Sequence, residues 1–298
     1  MASAARQRSP RPESRSVAGT FLHTRSGPLA LDRVVVVGIL NATPDSFSDG
    51  GRHLDPGRAA DAAVAMVAAG ARMLDVGAES TRPGAVPVAG AEEARRLLPV
   101  LRAVRRAVRV PLSIDTTKAA VARAALDSGA DVVNDVSAGL ADRAMLPLCA
   151  AAGVPVVLMH RRGTPRTMQR APRYRDVVAE VAAFLAQRAA AATAAGVAPD
   201  AIVVDPGIGF GKTVAHNFEL LRRLDELAAI GRPVLVGVSR KSSLGRIMGD
   251  PSATTGTTAA SVGAAVAAYQ HGAAIFRVHD VREHVEALSA AHAVEVGP

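Results

Sequence analysis

Eight times along this 298-residue chain, a side chain able to do chemistry follows closely on the end of a short apolar run. These residues are Asn41; Glu79, Thr81 and Arg82; Asp115; Asn134; His160; Asp205; Ser239 and Lys241; and Arg277 and His279. Carboxylates and amides offer hydrogen-bond acceptors and donors to the polar edge of a small molecule, and the cations offer charge where negative charge sits or develops. A single Asp or Asn after a strand is most simply a helix cap. Eight occurrences in one direction are hard to obtain from capping alone.

The elements that must position these residues are legible in the hydrophobic pattern. The apolar runs cover residues 34–40, 72–76, 110–114, 131–133, 154–159, 201–204, 233–238 and 273–278. Between them lie alanine-rich helical stretches such as 59–69, 92–107, 118–127, 176–195 and 217–229. Gly70, Gly129, Gly153, Gly196, Gly231 and Gly272 stand at helix ends, where a left-handed C-cap needs no Cβ. Strands apolar throughout, separated by helices, predict a parallel sheet covered on both sides. Eight units predict an α/β fold, a single (β/α)8 TIM barrel, with an open doubly wound sheet as the structural alternative. In a barrel all the polar strand ends converge on one face, where barrel enzymes place their active sites. No linker divides the repeat, so the expected layout is a flexible Arg/Ser/Pro-rich extension over residues 1–28 and one catalytic barrel over 29–298.

Composition narrows the function classes. A hydrophobic share of 49% excludes a mostly disordered chain. The lone Cys149 excludes a disulfide framework and a multi-cysteine zinc site, fits a reducing compartment, and lies in an apolar helical context that reads as core. The formal charge is +8, but residues 1–25 carry half of it through five arginines against Glu13. With aromatics at 3% and no zinc-finger, RRM or KH signature, a nucleic-acid partner is not expected. The leader has no apolar segment and cannot be a secretory signal, and the strongest short apolar run, 34–40, is far below the ~18 residues of a membrane span. A soluble, cytoplasmic protein is expected.

The loop Asp205-Pro-Gly-Ile-Gly-Phe-Gly-Lys212-Thr213 superficially imitates a nucleotide-binding loop. Pro206 occupies the first Gly position of the phosphate-binding pattern, and Lys212 the third Gly of the dinucleotide fingerprint. Gly-x-Ser-x-Gly and His-Glu-x-x-His are absent.

Other motifs carry a family resemblance. Asn41-Ala-Thr-Pro-Asp45-Ser-Phe47-Ser-Asp-Gly-Gly51 and Glu79-Ser-Thr81-Arg82-Pro83-Gly84 resemble the first two loop signatures of the dihydropteroate synthases. Ser113-Ile-Asp115-Thr, Asn134-Asp135, Met159-His160 and the Asp205–Lys212 loop follow in the family's order, and Ser239-Arg240-Lys241-Ser242 and Arg277-Val-His279-Asp280 close the series. The resemblance spans roughly residues 34 to 290, one motif per barrel unit. Departures are small: Ala78 stands where the family usually has a second Gly, its methyl able to shift that loop slightly, and the extension before residue 30 has no counterpart in the family pattern.

The resemblance implies a transferase of folate biosynthesis that condenses 6-hydroxymethyl-7,8-dihydropterin pyrophosphate with 4-aminobenzoate, giving 7,8-dihydropteroate and pyrophosphate. It implies a pterin pocket of Asp115, Asn134, Asp205 and Lys241, with the Arg277 guanidinium stacking on the ring. Asn41, Thr81, Arg277 and His279 are the implied pyrophosphate set, with Asn41 also a ligand to a Mg²⁺ cofactor. Asp45, Lys241 and Arg277 are the implied catalytic residues, with Asp45 helping to stabilise a cationic pterin intermediate. Phe47 and Pro83 would wall the aminobenzoate pocket, and Ser242 would contact its carboxylate. The first two loops read as lids, and the intact Arg82-Pro83-Gly84 turn suggests competition by sulfonamides. A homodimer is implied by the resemblance alone. Two alternatives remain: a methyltetrahydrofolate–corrinoid methyltransferase, which would not need the first-loop motif or the last two segments, and a non-catalytic pterin-binding paralogue.

Overall fold

The structure is a computed structural model and describes residues 21–42 and 55–297. It opens with an antiparallel hairpin, β1 (Phe21–Thr24) and β2 (Gly27–Ala30), followed by eight parallel strands. These are β3 (Val35–Asn41), β4 (Met73–Gly77), β5 (Leu112–Asp115), β6 (Val132–Asp135), β7 (Val156–Met159), β8 (Ile202–Asp205), β9 (Leu235–Val236) and β10 (Ile275–Val278). Strands β3 to β8 pair in sequence order, and β10 pairs with both β3 and β9. A parallel bridge from Val204 to Val234 joins β8 to the residues leading into β9 and closes the ring. The fold is the expected (β/α)8 barrel, and each predicted apolar run supplies one strand.

Around the ring lie α1 (Pro56–Ala68), α2 (Gly90–Ala107), α3 (Ala119–Asp127), α4 (Met145–Ala152), α5 (Val177–Ala194), α6 (Val214–Arg222), α7 (Asp225–Ala228), α8 (Ser242–Ile247), α9 (Thr258–Gln270) and α10 (Val281–Val296). The predicted helix over 217–229 differs: it begins at Val214 and breaks into α6 and α7. Thr213 sets the start through a capping box, its hydroxyl accepting from the His216 N–H while the His216 ring accepts from the Thr213 N–H. At the break Arg223 leaves helical geometry, and its guanidinium ties the two pieces by bonding Glu219 at 3.1 Å and Glu226 at 2.6 Å. Helix α5 is long and apolar enough to cross a membrane by length and composition. Its buried residues Val178, Val181, Leu185, Ala189 and Ala192 recur at helical spacing, and here that stripe packs in the core of the barrel.

Alternation along the strands sorts the barrel into layers. Val35 and Val37 of β3, Met73 of β4, Val132 of β6, Val157 of β7, Val203 of β8, Leu235 of β9 and Ile275 of β10 form one buried cluster inside the ring. One or two pleats further on, toward the strands' C-terminal ends, the same inward-facing rows carry Asn41, Asp75, Asn134, Met159, Asp205 and Arg277. The barrel is therefore apolar inside at its N-terminal end and polar at its C-terminal end.

The hairpin explains how the apolar end is kept from water. Leu22, Leu29 and Leu31 are buried in the interior cluster, so β1 and β2 plug that mouth. Removing Leu22 from water is worth about 2 kcal/mol. The expected extension over 1–28 is thus too long, because residues 21–28 belong to the fold. The hairpin tip is fastened by Ser26, whose N–H and hydroxyl both donate to the buried Asp131, and by Arg25, which donates to the Leu126 carbonyl.

Candidate active site

At the C-terminal mouth, strand register brings together residues far apart in the chain. Gly77 lies beside Asp115, Asp115 beside Asn134, and Met159 beside Asp205. The side chains are joined by a residue absent from the sequence expectations, Asp75, which lies in the middle of β4 and is 1% exposed. Its Oδ2 accepts from Arg277 Nε at 2.5 Å and from Asn134 Nδ2 at 3.1 Å. Arg277 also donates to Asp115 Oδ2 at 3.1 Å. One carboxylate thereby fixes two of the expected pterin residues. With its Nδ2 occupied by Asp75, Asn134 keeps its carbonyl oxygen for a ligand donor.

The electrostatics follow from burying charge. Desolvation raises the Asp115 carboxyl above the usual range, although Arg277 opposes the shift, and nearby Asp75 adds to it. Asp205 is pushed up to about 6, chiefly by desolvation, against the Gly207 N–H that donates to it at 2.7 Å. Lys241 is pushed down to about 8 by desolvation and by Arg277. Its ammonium lies 4.5 Å from the centre of the Phe210 ring, a cation–π contact that makes Phe210 a second residue the sequence reading did not assign.

The Asp205–Lys212 loop lies against the backbone that follows β7. A Cβ on Gly207 would come within 1.9 Å of the His160 carbonyl oxygen, and one on Gly211 within 2.4 Å of the Arg162 oxygen. Both glycines also have φ near +67°, so the loop needs them for approach and for conformation. Lys212 staples this loop from inside: its Nζ is within hydrogen-bond reach of His160 Nδ1 (2.8 Å), the Gly207 oxygen (3.0 Å) and the Phe210 oxygen (3.1 Å). Burial lowers it to about 7, although the Asp205 carboxylate opposes the shift. His160 is lowered to about 3, first by desolvation and then by Lys212, so its imidazole is neutral and can accept from the ammonium. The chain's three lysines lie as a set in loops at this mouth, with Lys118 following β5.

Arg277 and His279 flank the last strand end. Ser239 Oγ accepts from the His279 N–H and lies 3.1 Å from His279 Nδ1, which fixes the ring. Desolvation, and then Arg277, lowers His279 to about 4, so the free site presents a neutral imidazole. Arg240, at φ +56°, pairs through both Nε and its terminal nitrogen with Asp280 and locks the Ser239–Ser242 turn beside that strand. Lys241 is the N-cap of α8 and Ser242 its first residue.

In the second loop Thr81 is half-buried and Pro83 exposed, and the Gly84 N–H donates to the Pro165 oxygen at 2.9 Å. Ala78 is fully buried without a positive φ, so its methyl is accommodated. The tight position is Gly77, where a Cβ would lie 3.2 Å from that of Asp115. Asn41 ends β3 half-buried. Asp45 and Phe47 lie outside the described residues. Cys149 is buried, with its thiol pushed up to about 12 by desolvation. An open cavity of about 800 Å³ lies between the His160–Gly163 segment and α5, but none of the expected substrate residues lines it.

Comparison with known proteins agrees with this geometry. The family described as pterin binding enzyme matches residues 37–279. The dihydropteroate synthase of Mycobacterium leprae is 50% identical over 277 residues, covering 91% of this chain and 97% of that protein. This chain belongs to the dihydropteroate synthase family of pterin-binding enzymes. Among solved structures, the Xanthomonas albilineans dihydropteroate synthase with 4-aminobenzoic acid superposes with a TM-score of 0.85 at 45% identity, covering 93% of this chain and 99% of that one. The Yersinia pestis dihydropteroate synthase with a sulfonamide drug gives 0.87 at 42% identity, with the same coverage.

Proposed function

We propose that this barrel condenses 6-hydroxymethyl-7,8-dihydropterin pyrophosphate with 4-aminobenzoate, releasing pyrophosphate, and that the mouth residues divide the work as follows. The observation that carries the reading is the Asn134–Asp75–Arg277–Asp115 relay, which sets acceptors and a planar cation around one point at the mouth. Asp115, Asp205 and the Asn134 carbonyl oxygen accept from the N–H groups of the pterin edge. Lys241 donates to its carbonyl or ring nitrogen. A site built of such buried partners rejects analogues that lack them.

Arg277, His279, Thr81 and Asn41 receive the pyrophosphate. The neutral His279 acts first as a hydrogen-bond donor, and an arriving polyanion raises its affinity for a proton. A Mg²⁺ ion would suit this set, because magnesium is commonly held by few protein oxygens plus substrate phosphates and Asn41 offers one such oxygen. Asn41 would hold it through its carboxamide oxygen, and the ion would supply charge neutralisation to the phosphates. The C–O bond to the pterin methylene breaks with its electron pair passing to pyrophosphate. Asp45 helps stabilise the resulting cation, and the second loop excludes water until the arylamine arrives. The amine nitrogen then forms the C–N bond and loses its proton to solvent. Phe47 and Pro83 wall the arylamine, Ser242 meets its carboxylate, and sulfonamides compete there.

The resemblance further implies a homodimer, and the composition suggests a cytoplasmic protein with no nucleic-acid or membrane partner; light scattering of the purified chain tests the dimer. The deciding experiment for the reaction follows dihydropteroate from pterin pyrophosphate, 4-aminobenzoate and Mg²⁺. Product that requires all three supports the reading. A folded protein that binds pterin and forms none would be a non-catalytic relative.

A further inference from the structure

Lys118 has no part in the reaction as written, yet it joins two carboxylates at the edge of the site. Glu79 stands where the second loop leaves β4. Its Oε1 accepts the Val88 N–H at 2.7 Å and closes the loop on itself, and its Oε2 accepts from Lys118 Nζ at 2.7 Å. The same Nζ donates to Glu93 Oε2 at 2.5 Å. Glu93, in the first turn of α2, is fully buried, and its other oxygen has no hydrogen-bond partner among the described residues. Lys118 is therefore the one cation paired with Glu93 among the described residues. A buried carboxylate held by a single ammonium fixes that ammonium in turn, because release would leave Glu93 uncompensated.

The loop between the pinned points carries Thr81 and Pro83. Among the described residues, its outer edge is tied to the rest of the barrel by the Gly84 N–H to Pro165. Lys118 also follows Asp115 by three positions, so the clasp joins the arylamine side of the site to the pterin side. We propose that Lys118 is a positioning residue that, by holding Glu79 against the buried Glu93, fixes the base of the second loop and so sets the capture of the arylamine. This rests on the assignment of Pro83 to the aminobenzoate pocket.

The test compares Lys118→Met, Lys118→Arg and Glu79→Gln in the full chain, using pterin pyrophosphate, 4-aminobenzoate and Mg²⁺. Glu79→Gln keeps a carbonyl oxygen for the Val88 N–H and leaves the Lys118–Glu93 pair intact, so it carries the test if Lys118→Met does not fold. The expected result for Glu79→Gln is a KM for 4-aminobenzoate raised about tenfold, matching the loss of one charge-assisted hydrogen bond. Its kcat and calorimetric pterin affinity should stay within threefold of wild type, and Lys118→Arg should retain most of the wild-type KM. Hydrogen exchange at the Val88 amide, which does not depend on the reaction, should quicken in Glu79→Gln. Unchanged exchange with unchanged KM would overturn the clasp. Quicker exchange with an unchanged arylamine KM, in a wild-type protein that turns over, would overturn the proposal by removing this loop from arylamine capture. Equal losses of pterin affinity and arylamine KM would overturn it in favour of general destabilisation. A wild-type protein that forms no product fails at the reaction itself, separately from all three variants.

Discussion

The two mouths of the barrel bury charge in opposite ways. At the N-terminal mouth Asp131, 1% exposed, accepts from the Ser26 N–H and hydroxyl, the Leu112 N–H and Arg105, at 2.7, 3.0, 2.9 and 3.2 Å. Those donors compensate the cost of burying it, and the apolar hairpin beside it excludes water. At the C-terminal mouth Asp205 and Lys241 are both pushed toward neutrality, and one oxygen of Asp75 has no partner among the described residues. Among the described residues, the Asp131 carboxylate at one end is thus satisfied by the protein, while the Asp75 carboxylate at the other is left one partner short. Groups that the protein leaves short of partners are the ones a polar ligand can complete.

The largest expected effect comes from removing the anchor at the open mouth. Asp75→Ala frees both Arg277 and Asn134, and kcat/KM should fall about 100-fold, equivalent to about 3 kcal/mol from two hydrogen bonds, one of them charge-assisted at both ends. Calorimetry should show weaker pterin binding, and affinity within threefold of wild type would break the contrast. At the sealed mouth, Asp131→Ala should cost about 3 kcal/mol of stability, or roughly 8 °C in Tm for a domain of this size. Its kcat/KM at 25 °C should stay within twofold; a parallel loss of turnover would show that the two ends are not independent.

Asp205→Asn should move the two properties in opposite directions. Folding raises the Asp205 value from its ordinary 3.8 to about 6, so the stability it contributes is present below about pH 4 and lost as pH rises through about 6. At neutral pH the ionised carboxylate is a cost to the ligand-free fold. Removing its charge should stabilise that fold by about 1–2 kcal/mol while weakening pterin binding. A lower Tm would reject the argument. The finest discriminator is pH: pterin affinity in the wild type should fall between pH 7 and pH 5 as Asp205 and Asp115, both raised by desolvation, take up protons, and Asp205→Asn should lose the Asp205 share, about tenfold, and keep the rest.

The barrel was readable because parallel strands buried on both faces leave uninterrupted apolar runs, and because each run ended in a polar residue. Asn134 and Asp205 were found by that rule, whereas Arg277, inside the run 273–278, was carried by the resemblance of the Arg277-Val-His279-Asp280 segment. Asp75 was hidden by it, since it sits inside the run 72–76 and a run-based reading averages one carboxylate away. A charge in the middle of a fully buried strand was the available signal, but its meaning depends on Arg277, 202 positions later in the chain. Lys212 was visible as the end of the Gly-rich loop, but its staple to the neutral His160 could be known only from the fold. The hairpin was missed because its apolar residues form only two short clusters, Phe21-Leu22 and Leu29-Ala30-Leu31, on either side of a polar turn. Thr24-Arg-Ser-Gly27, where the Thr24 hydroxyl donates to the Gly27 oxygen at 2.6 Å, was the turn that marked it.

The hairpin also fixes a direction in space. Because β1 seals the mouth opposite the substrate residues, a tether attached at Phe21 holds the molecule by its closed end. A surface or fusion partner joined there leaves the working end facing solution, whereas attachment through the second loop or the Ser239–Ser242 turn would obstruct it.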